Sequence, residues 1–386
     1  MSSSLAFDCH LTRITHGFDH KTCWTQARGG VIPGKQPVAV VTMQQLVLSG
    51  SDVFWGLHET RSVDRGHTWS PLREIPTMVR WKEEGGVEAV LCDATPKWHA
   101  LTGKILLTGQ VARYVGDHLM PDPRPRHTAY AVFNEQGQEW SLPSFLHMPD
   151  PDRYFSSGAG SAQRLDLPDG DILLPIYAKD RDTPVFESII VRCGFDGRLL
   201  TVKEIGSSHS VSSGRGLYEP SITQYGGRYF VTYRNDQAGY VSTSNDGLHY
   251  HEPRLWCFDD GQPLGNYNTQ QHWVSHSDGL FLVYTRKGLN NDHVFRHRAP
   301  LVIAQVDPEK LVVLRETERI IVPERGARLG NFSIIDFDAN ETWVVAAEWM
   351  QNVGMQQNPK ICTQYGSDNS VWVARLHWNR PNRNLA

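Results

Sequence analysis

Short β-rich runs recur along the whole chain with almost no long amphipathic helical pattern between them, and that rhythm limits the fold more than any other feature. The runs are "VAVVTM" (38–43), "GKILLTG" (103–109), "GDILLPIY" (170–177), "GRYFVTYR" (227–234), "GLFLVYTR" (279–286), "TWVVAAEW" (342–349) and "SVWVARLHW" (370–378). Most follow Gly, Asp or Asn turn chemistry, as in "LPDGD", "QYGGR" and "HSDGL". They recur at intervals of roughly 50 to 65 residues, the spacing of four-stranded propeller blades. A hairpin signal keeps the same phase. In "RSVDRGHTWS" (61–70), Asp64 can accept from backbone N–H groups just ahead, Gly66 can take the positive φ of a tight turn, and Trp69 packs as the next strand begins. "TSNDGLHY" offers Thr243, Asn245, Gly247 and Tyr250 in the same relative places, and "CGFDGRLL" (193–200) is a degenerate third copy.

The expected fold is therefore all-β: a β-propeller of four-stranded antiparallel blades, formed by residues 1–386 as a single domain. Six or seven blades fit the length, and seven is the count expected to leave the termini closing the ring together. The material for such a core is present, with 40% apolar residues and 12 Trp, 13 Tyr and 14 Phe in 386 residues. A formal charge of −4 gives no bias toward nucleic acid or membrane partners. No apolar run reaches the length of a membrane span. The N-terminal stretch lacks a basic n-region followed by an apolar h-region, so no signal peptide is visible and the compartment is left open. The six cysteines include no CxxC pair, hence neither a zinc ribbon nor a disulfide framework. His16, His20 and Cys23 have a spacing a metal could use but lack an identifiable fourth ligand. No cofactor is required by the sequence, and a structural calcium or zinc ion would leave no readable motif.

Ser62-x-Asp64-x-Gly66-x-Thr68-Trp69 resembles the Asp box of the sialidase-like β-propeller superfamily, which sits on the hairpin between a blade's third and fourth strands. The resemblance covers essentially the whole chain. It points to the superfamily and says little about the reaction. Sialidases of this superfamily use three arginines to hold the substrate carboxylate, a Tyr/Glu nucleophile pair and an Asp acid. They usually place the first arginine in an Arg-Ile-Pro motif. This chain has "TRIT" at Arg13 and no Arg-Ile-Pro.

A closer likeness is to propellers that degrade uronate-containing glycans, namely ulvan lyases, rhamnosyl-α-1,4-glucuronate lyases and related α-L-rhamnosidases. The similar stretches are "CWTQARGG" (23–30), "MQQLVLSGSDVFWGLHETRS" (43–62), "TGQVARY" (108–114), "RPRHTAYAVF" (124–133), "GRGLYEPSI" (214–222), "YNTQQHWV" (267–274) and "DHVFRHRAPL" (292–301). A uronate lyase removes the proton on C5 and expels the group on C4. It needs a cation for the carboxylate, a base, and an acid for the leaving oxygen. The resemblance to ulvan lyases implies His127 and Tyr177 as acid/base groups and Arg192 as carboxylate neutraliser. Two departures stand against catalysis. Gln110 and Gln26 occupy places where the lyase-like and rhamnosidase-like patterns carry a histidine, and glutamine moves no proton near neutral pH.

The remaining polar clusters suit sugar binding. Gln271 and His272 lie in a run of amides beside Trp273, and Arg296 and Arg298 would share a face if extended. Arg28, Arg234, Arg296 and Arg298 are arginines available for a carboxylate clamp, Arg215, Glu219 and Arg234 lie near the start of one blade, and Glu348 ends a strand. A buried ion pair explains any one of them equally well; their concentration near strand ends points to a glycan site. The leading expectation is β-elimination at a linkage to an acidic sugar of the rhamnosyl-glucuronate type. The alternatives are an α-L-rhamnosidase-like or sialidase-like hydrolase and a non-catalytic glycan-binding propeller. The expected partner is an acidic oligosaccharide or polysaccharide, with no nucleic acid and no membrane. A WD or kelch interaction propeller lacks its repeating signatures here.

Overall fold

The computed structural model describes residues 5–49, 52–134, 138–351 and 359–385. The strands fall into six antiparallel sheets. Blade 1 runs outward through Thr22–Ile32, Val38–Val47, Phe54–Ser62 and Arg73–Glu74. Blade 2 uses Val87–His99, Lys104–Val115 and Thr128–Asn134, edged by Glu139–Trp140 and Ser144–Phe145. Blade 3 starts with Ser156–Gly158 and Leu165–Asp166, which both pair Ile172–Lys179, then adds Glu187–Phe195 and Leu200–His209. Blade 4 comprises Tyr218–Tyr225, Arg228–Arg234, Gly239–Ser244 and Arg254–Leu255. Blade 5 comprises His272–His276, Gly279–Tyr284 and Leu301–Asp307, edged by Val312–Val313 and Arg319–Val322. Blade 6 takes Phe332–Asp338, Glu341–Ala347 and Val371–Trp378 from the C-terminal end, and its outermost strand is Phe7–Thr15 from the N-terminal end.

That last pairing, from Phe7 opposite Trp378 to Thr15 opposite Val371, closes the ring by joining the two ends of the chain. The core confirms the closure. Each neighbouring pair of blades shares one buried apolar cluster, including the pair formed by blades 6 and 1. A strand in such a sheet is covered on both faces, which is why it reads as a continuous apolar run instead of an alternating one. In Ile172–Lys179, Leu173 packs toward blade 4 while Ile172, Leu174 and Ile176 pack toward blade 2.

The count is six sheets among the described residues, not seven. Part of the chain that a seventh blade would need runs in long connections. Residues 116–127 link two strands of blade 2, and residues 285–300 link two strands of blade 5. Both connections carry arginines that reach the axial cavity described below.

The hairpin motifs sit where the resemblance puts them, between the third and fourth strands. In blade 1, Ser62 Oγ donates to Asp64 Oδ1 (2.8 Å) and accepts from Gly66 N–H (2.8 Å), while Asp64 accepts from Thr68 N–H (2.9 Å) and Oγ1 (2.5 Å). Gly66 has φ of 77°, and a Cβ there would come within 3.2 Å of Trp343 on blade 6. The blade 4 copy is phased one residue differently from the sequence expectation. Ser244 and Asp246 play the parts of Ser62 and Asp64, because Asp246 Oδ1 accepts from the N–H groups of Leu248 and His249, both at 2.8 Å. In blade 3, Asp196 Oδ1 accepts from Arg198 and Leu199 N–H at 2.8 and 2.7 Å.

Candidate functional site

At one end of the ring axis lies a cavity of about 490 Å³. Its floor is made by an arrangement that the sequence conceals. Where five of the six innermost segments pass the axis, a non-glycine residue takes left-handed backbone: Gln26 (φ 53°), Asp93 (52°), Ser161 (56°), Glu219 (47°) and Asn268 (49°). Each such residue costs on the order of 1–3 kcal/mol and persists only where its surroundings over-determine it. The strand register slips at three of them, between Thr25 and Arg28, between Cys92 and Thr95, and between Tyr218 and Ser221. A bulge of this kind re-aims consecutive side chains, and Tyr218 and Glu219 both line the cavity although they are neighbours in a strand.

Below the floor, Arg28 acts as an axle. Its fully buried guanidinium donates to Asp93 Oδ1 (3.3 Å), Ser161 Oγ (2.8 Å), Gln270 Oε1 (3.0 Å) and the carbonyl of Phe332. Asp93 also accepts from Ser161 Oγ (2.9 Å) and Gln110 Nε2 (3.0 Å) and faces the cavity. Burial pushes its carboxyl pKa up, against the pull of Arg28. Gln26 is tied to the same point, its Oε1 accepting from Asp93 N–H at 2.9 Å.

The walls are strongly cationic. Seven arginines (124, 126, 215, 234, 296, 298 and 328) line the cavity against four carboxylates, Asp52, Asp93, Glu219 and Asp236. On blade 4 the charges are matched. Arg234 pairs with Glu219 at 2.6 Å, and Arg215 pairs with Asp236 at 2.7 Å. Asp236 also accepts from the Tyr218 hydroxyl at 2.7 Å. Burial pushes the Asp236 carboxyl up, but the bonds from Arg215 and Tyr218 outweigh it and hold the pKa well below the usual carboxylate range.

Around blades 5 and 6 the charges are not matched. Arg298 donates to the Asn268 carbonyl and Arg328 to Gln351 Oε1 (2.7 Å), while Arg296 lies over the Phe295 ring at 5.0 Å. None of the three has a carboxylate partner among the described residues. Burial comes first in lowering all three pKa values, and repulsion adds to it, from Arg234 and Arg215 on Arg296 and from Arg234, Arg328 and Arg296 on Arg298. Arg328 comes down to about 10 through burial, against the pull of Asp52 and with a smaller push from Arg296. Such a cluster is complementary to an anion.

Of the sequence candidates, the cavity gathers Gln26, Gln110, Tyr177, Arg215, Glu219, Arg234, Arg296 and Arg298. Tyr177 donates to Gln110 Oε1 and accepts from Arg126 Nη1 at 3.0 Å. Its two expected companions are elsewhere. His127 does not line the cavity and stacks on Phe145, with ring centroids 5.1 Å apart. Burial, then the nearby Arg113, hold its pKa below the ordinary value. Arg192 lies opposite Leu173, whereas Tyr177 lies opposite Ser188. Four residues along a strand is about 13 Å, and Arg192 is spent on Asp171 (2.7 Å) and Asp169 (2.6 Å). His127, Tyr177 and Arg192 therefore do not form one constellation.

Arg28 lies beneath the site instead of lining it. Gln271 is buried on Thr232 Oγ1 (2.7 Å). His272 bonds Ser221 Oγ (2.7 Å) and lines a second cavity, of about 1080 Å³, on the opposite face. Glu348 is buried, accepting from Ser370 and Asp368 N–H at 3.0 Å each. Cys23 is buried while His16 and His20 are exposed, and among the described residues no group of three or more His, Cys, Asp or Glu is placed to hold a metal ion.

Asn268, from the amide run, does line the cavity, whereas sequence reasoning missed Asp52, Asp93, Tyr218, Asp236 and Arg328 as site residues. One signal was available: a repeated polar–small–polar triplet at the floor, Gln26-Ala27-Arg28, Asp93-Ala94-Thr95, Ser161-Ala162-Gln163 and Glu219-Pro220-Ser221.

A closed β-propeller with a cation-walled axial cavity is the class that this fold and site define. The family model described as BNR repeat-like domain matches residues 98–325, more than half of the chain, and the chain belongs to that family. No curated protein matches the sequence. Among solved structures, a protein of unknown function from Dyadobacter fermentans is similar at 15% identity with a TM-score of 0.65, over 95% of this chain and 99% of that one. Trypanosoma rangeli sialidase in complex with sialic acid is 13% identical with a TM-score of 0.63, over 97% of this chain and 60% of that one. The NanB sialidase from Streptococcus pneumoniae is 11% identical with a TM-score of 0.64, over 95% and 70%. At these identities the likeness shows the fold.

Proposed function

We propose that this propeller is a glycan-cleaving enzyme whose substrate presents a carboxylate to Arg296, Arg298 and Arg328. The observation that carries this reading is the arginine cluster itself: three desolvated guanidinium groups around one cavity, outnumbering Asp52, the carboxylate that acts on two of them. The repulsion among them is relieved by an anion. An acidic sugar fits the cavity's size and its polar lining, which includes the amides of Gln26, Gln110 and Asn268. The sialic acid bound by the Trypanosoma rangeli sialidase is an acidic sugar.

For the reaction, the cavity offers Tyr218 with its proton on Asp236, and Asp93 with a raised pKa. Tyr218, whose pKa burial raises, would attack the anomeric carbon with its proton passing to Asp236 in the same step, while Asp93 protonates the leaving oxygen. The Asp93 carboxylate so formed would then take a proton from the water that cleaves the tyrosyl–sugar bond, Tyr218 recovering its own proton from Asp236. Hydrolysis is favoured by the four cavity carboxylates. β-Elimination at a rhamnosyl-glucuronate linkage keeps Tyr177 in its support, but not His127 or Arg192, which lie outside the cavity.

The test is to incubate the protein with sialylated and with rhamnosyl-glucuronate-capped glycans, following released sugar and ultraviolet absorbance in the same samples. Sugar release without absorbance supports hydrolysis, and both together support elimination. Binding without product leaves a lectin. If neither glycan binds or reacts, the acidic-sugar reading fails.

A further inference from the structure

The cavity holds a second cationic bank, and its placement bears on the ligand. Arg124 and Arg126 come from the 116–127 connection of blade 2, while Arg296 and Arg298 come from the 285–300 connection of blade 5. In a ring of six blades these two stand diametrically opposite. Blade 4, between them, carries its own counter-charges, since Arg215 and Arg234 are matched by Asp236 and Glu219. Arg124 donates to the Met120 carbonyl (2.6 Å), and its carboxylate contact is Asp122 at 3.9 Å, a side chain turned mostly to solvent. Arg126 donates to the Tyr177 hydroxyl and lies over the Tyr177 and Phe186 rings at 5.3 and 5.7 Å. It has no carboxylate partner among the described residues.

Asp93 and Glu219 act on Arg126 from across the cavity, but one anionic group on Arg296, Arg298 and Arg328 leaves the opposite bank without a close ion pair to Arg126 inside a concave site. There the low local dielectric makes each unmatched charge count for more than it would on the surface. Resting on the acidic-sugar reading above, we infer that the ligand carries two anionic groups, one for each bank, with its sugar ring spanning the axis between them. The shared chemistry is a planar or tetrahedral oxyanion that accepts forked N–H donors, either a second carboxylate or a sulfate ester.

The experiment is titration calorimetry at low salt with three disaccharide probes. The first has one uronate and a neutral sugar, the second two uronates, and the third one uronate and one sulfate ester. At least one doubly charged probe is expected to bind at least tenfold more tightly than the singly charged one. The tighter of the two identifies the second group. The double variant R124Q/R126Q is expected to bring that affinity ratio close to one. Equal affinity for all three probes, or an unchanged ratio in R124Q/R126Q, overturns the inference while leaving the acidic-sugar reading in place. No binding of any probe overturns both.

Discussion

Replacing Arg28 with Met tests how the centre of the ring is held. Arg28 belongs to blade 1, and its partners Asp93, Ser161, Gln270 and Phe332 belong to or lead into blades 2, 3, 5 and 6. Met keeps much of the stem's volume but leaves Asp93 without its cation. Breaking a buried ion pair from one side costs about 3–5 kcal/mol, chiefly because the surviving charge is stranded. Asp93 keeps its bonds from Ser161 and Gln110 and reaches the cavity, so the lower end, about 3 kcal/mol, is expected. Adding D93N removes the stranded charge, and the double variant should recover about 1–2 kcal/mol of the loss. Urea unfolding of the parent, both single variants and the double variant closes the cycle. A loss below about 1 kcal/mol for R28M, or simple additivity of R28M and D93N, would refute the idea that this pair bolts the blades together.

Tyr218→Phe keeps the ring packing but removes the proton shared with Asp236, and is expected to slow turnover about 100-fold or more without unfolding the protein; kcat measured beside a thermal melt checks this. Asp64, with a pKa of about 2 because Thr68 and Ser62 donate to its anion, should stabilise its hairpin fully above pH 4. That contribution should fade as the pH falls toward 2. A carboxyl resonance titrating near 3.8 instead would contradict the hairpin bonds. Leu173→Ala, at the interface of blades 3 and 4, is expected to cost about 2–5 kcal/mol by denaturant titration. Deleting residues 1–15 strips the outer strand of blade 6, and is expected to give loss of cooperative unfolding in calorimetry.

Much of the fold was legible because it is written locally. Asp64, Gly66 and Trp69 make their turn with bonds to immediate neighbours, so a ten-residue window contains the whole cause. The strands were legible for a similar reason, since a run covered on both faces must be apolar throughout. Blade number was not, because the chain spent on the connections 116–127 and 285–300 looks like chain available for another sheet. The site was harder still. Gln26, Asp93, Ser161, Glu219 and Asn268 take left-handed backbone only because neighbouring blades force it, and none is a glycine that would advertise the conformation. The likeness to ulvan lyases singled out His127, yet its sequence neighbours Arg124 and Arg126 line a cavity that His127 does not. Asp236 acquired its part from Tyr218, 18 residues away in sequence and on the adjoining strand's end.

The most direct test of the central claim is a crystal structure of the protein soaked with an acidic sugar such as glucuronate. The carboxylate is expected within hydrogen-bond distance of at least two of Arg296, Arg298 and Arg328. A sugar seated in the opposite-face cavity, or one in the axial cavity with its carboxylate turned away from those three guanidinium groups, would contradict the account.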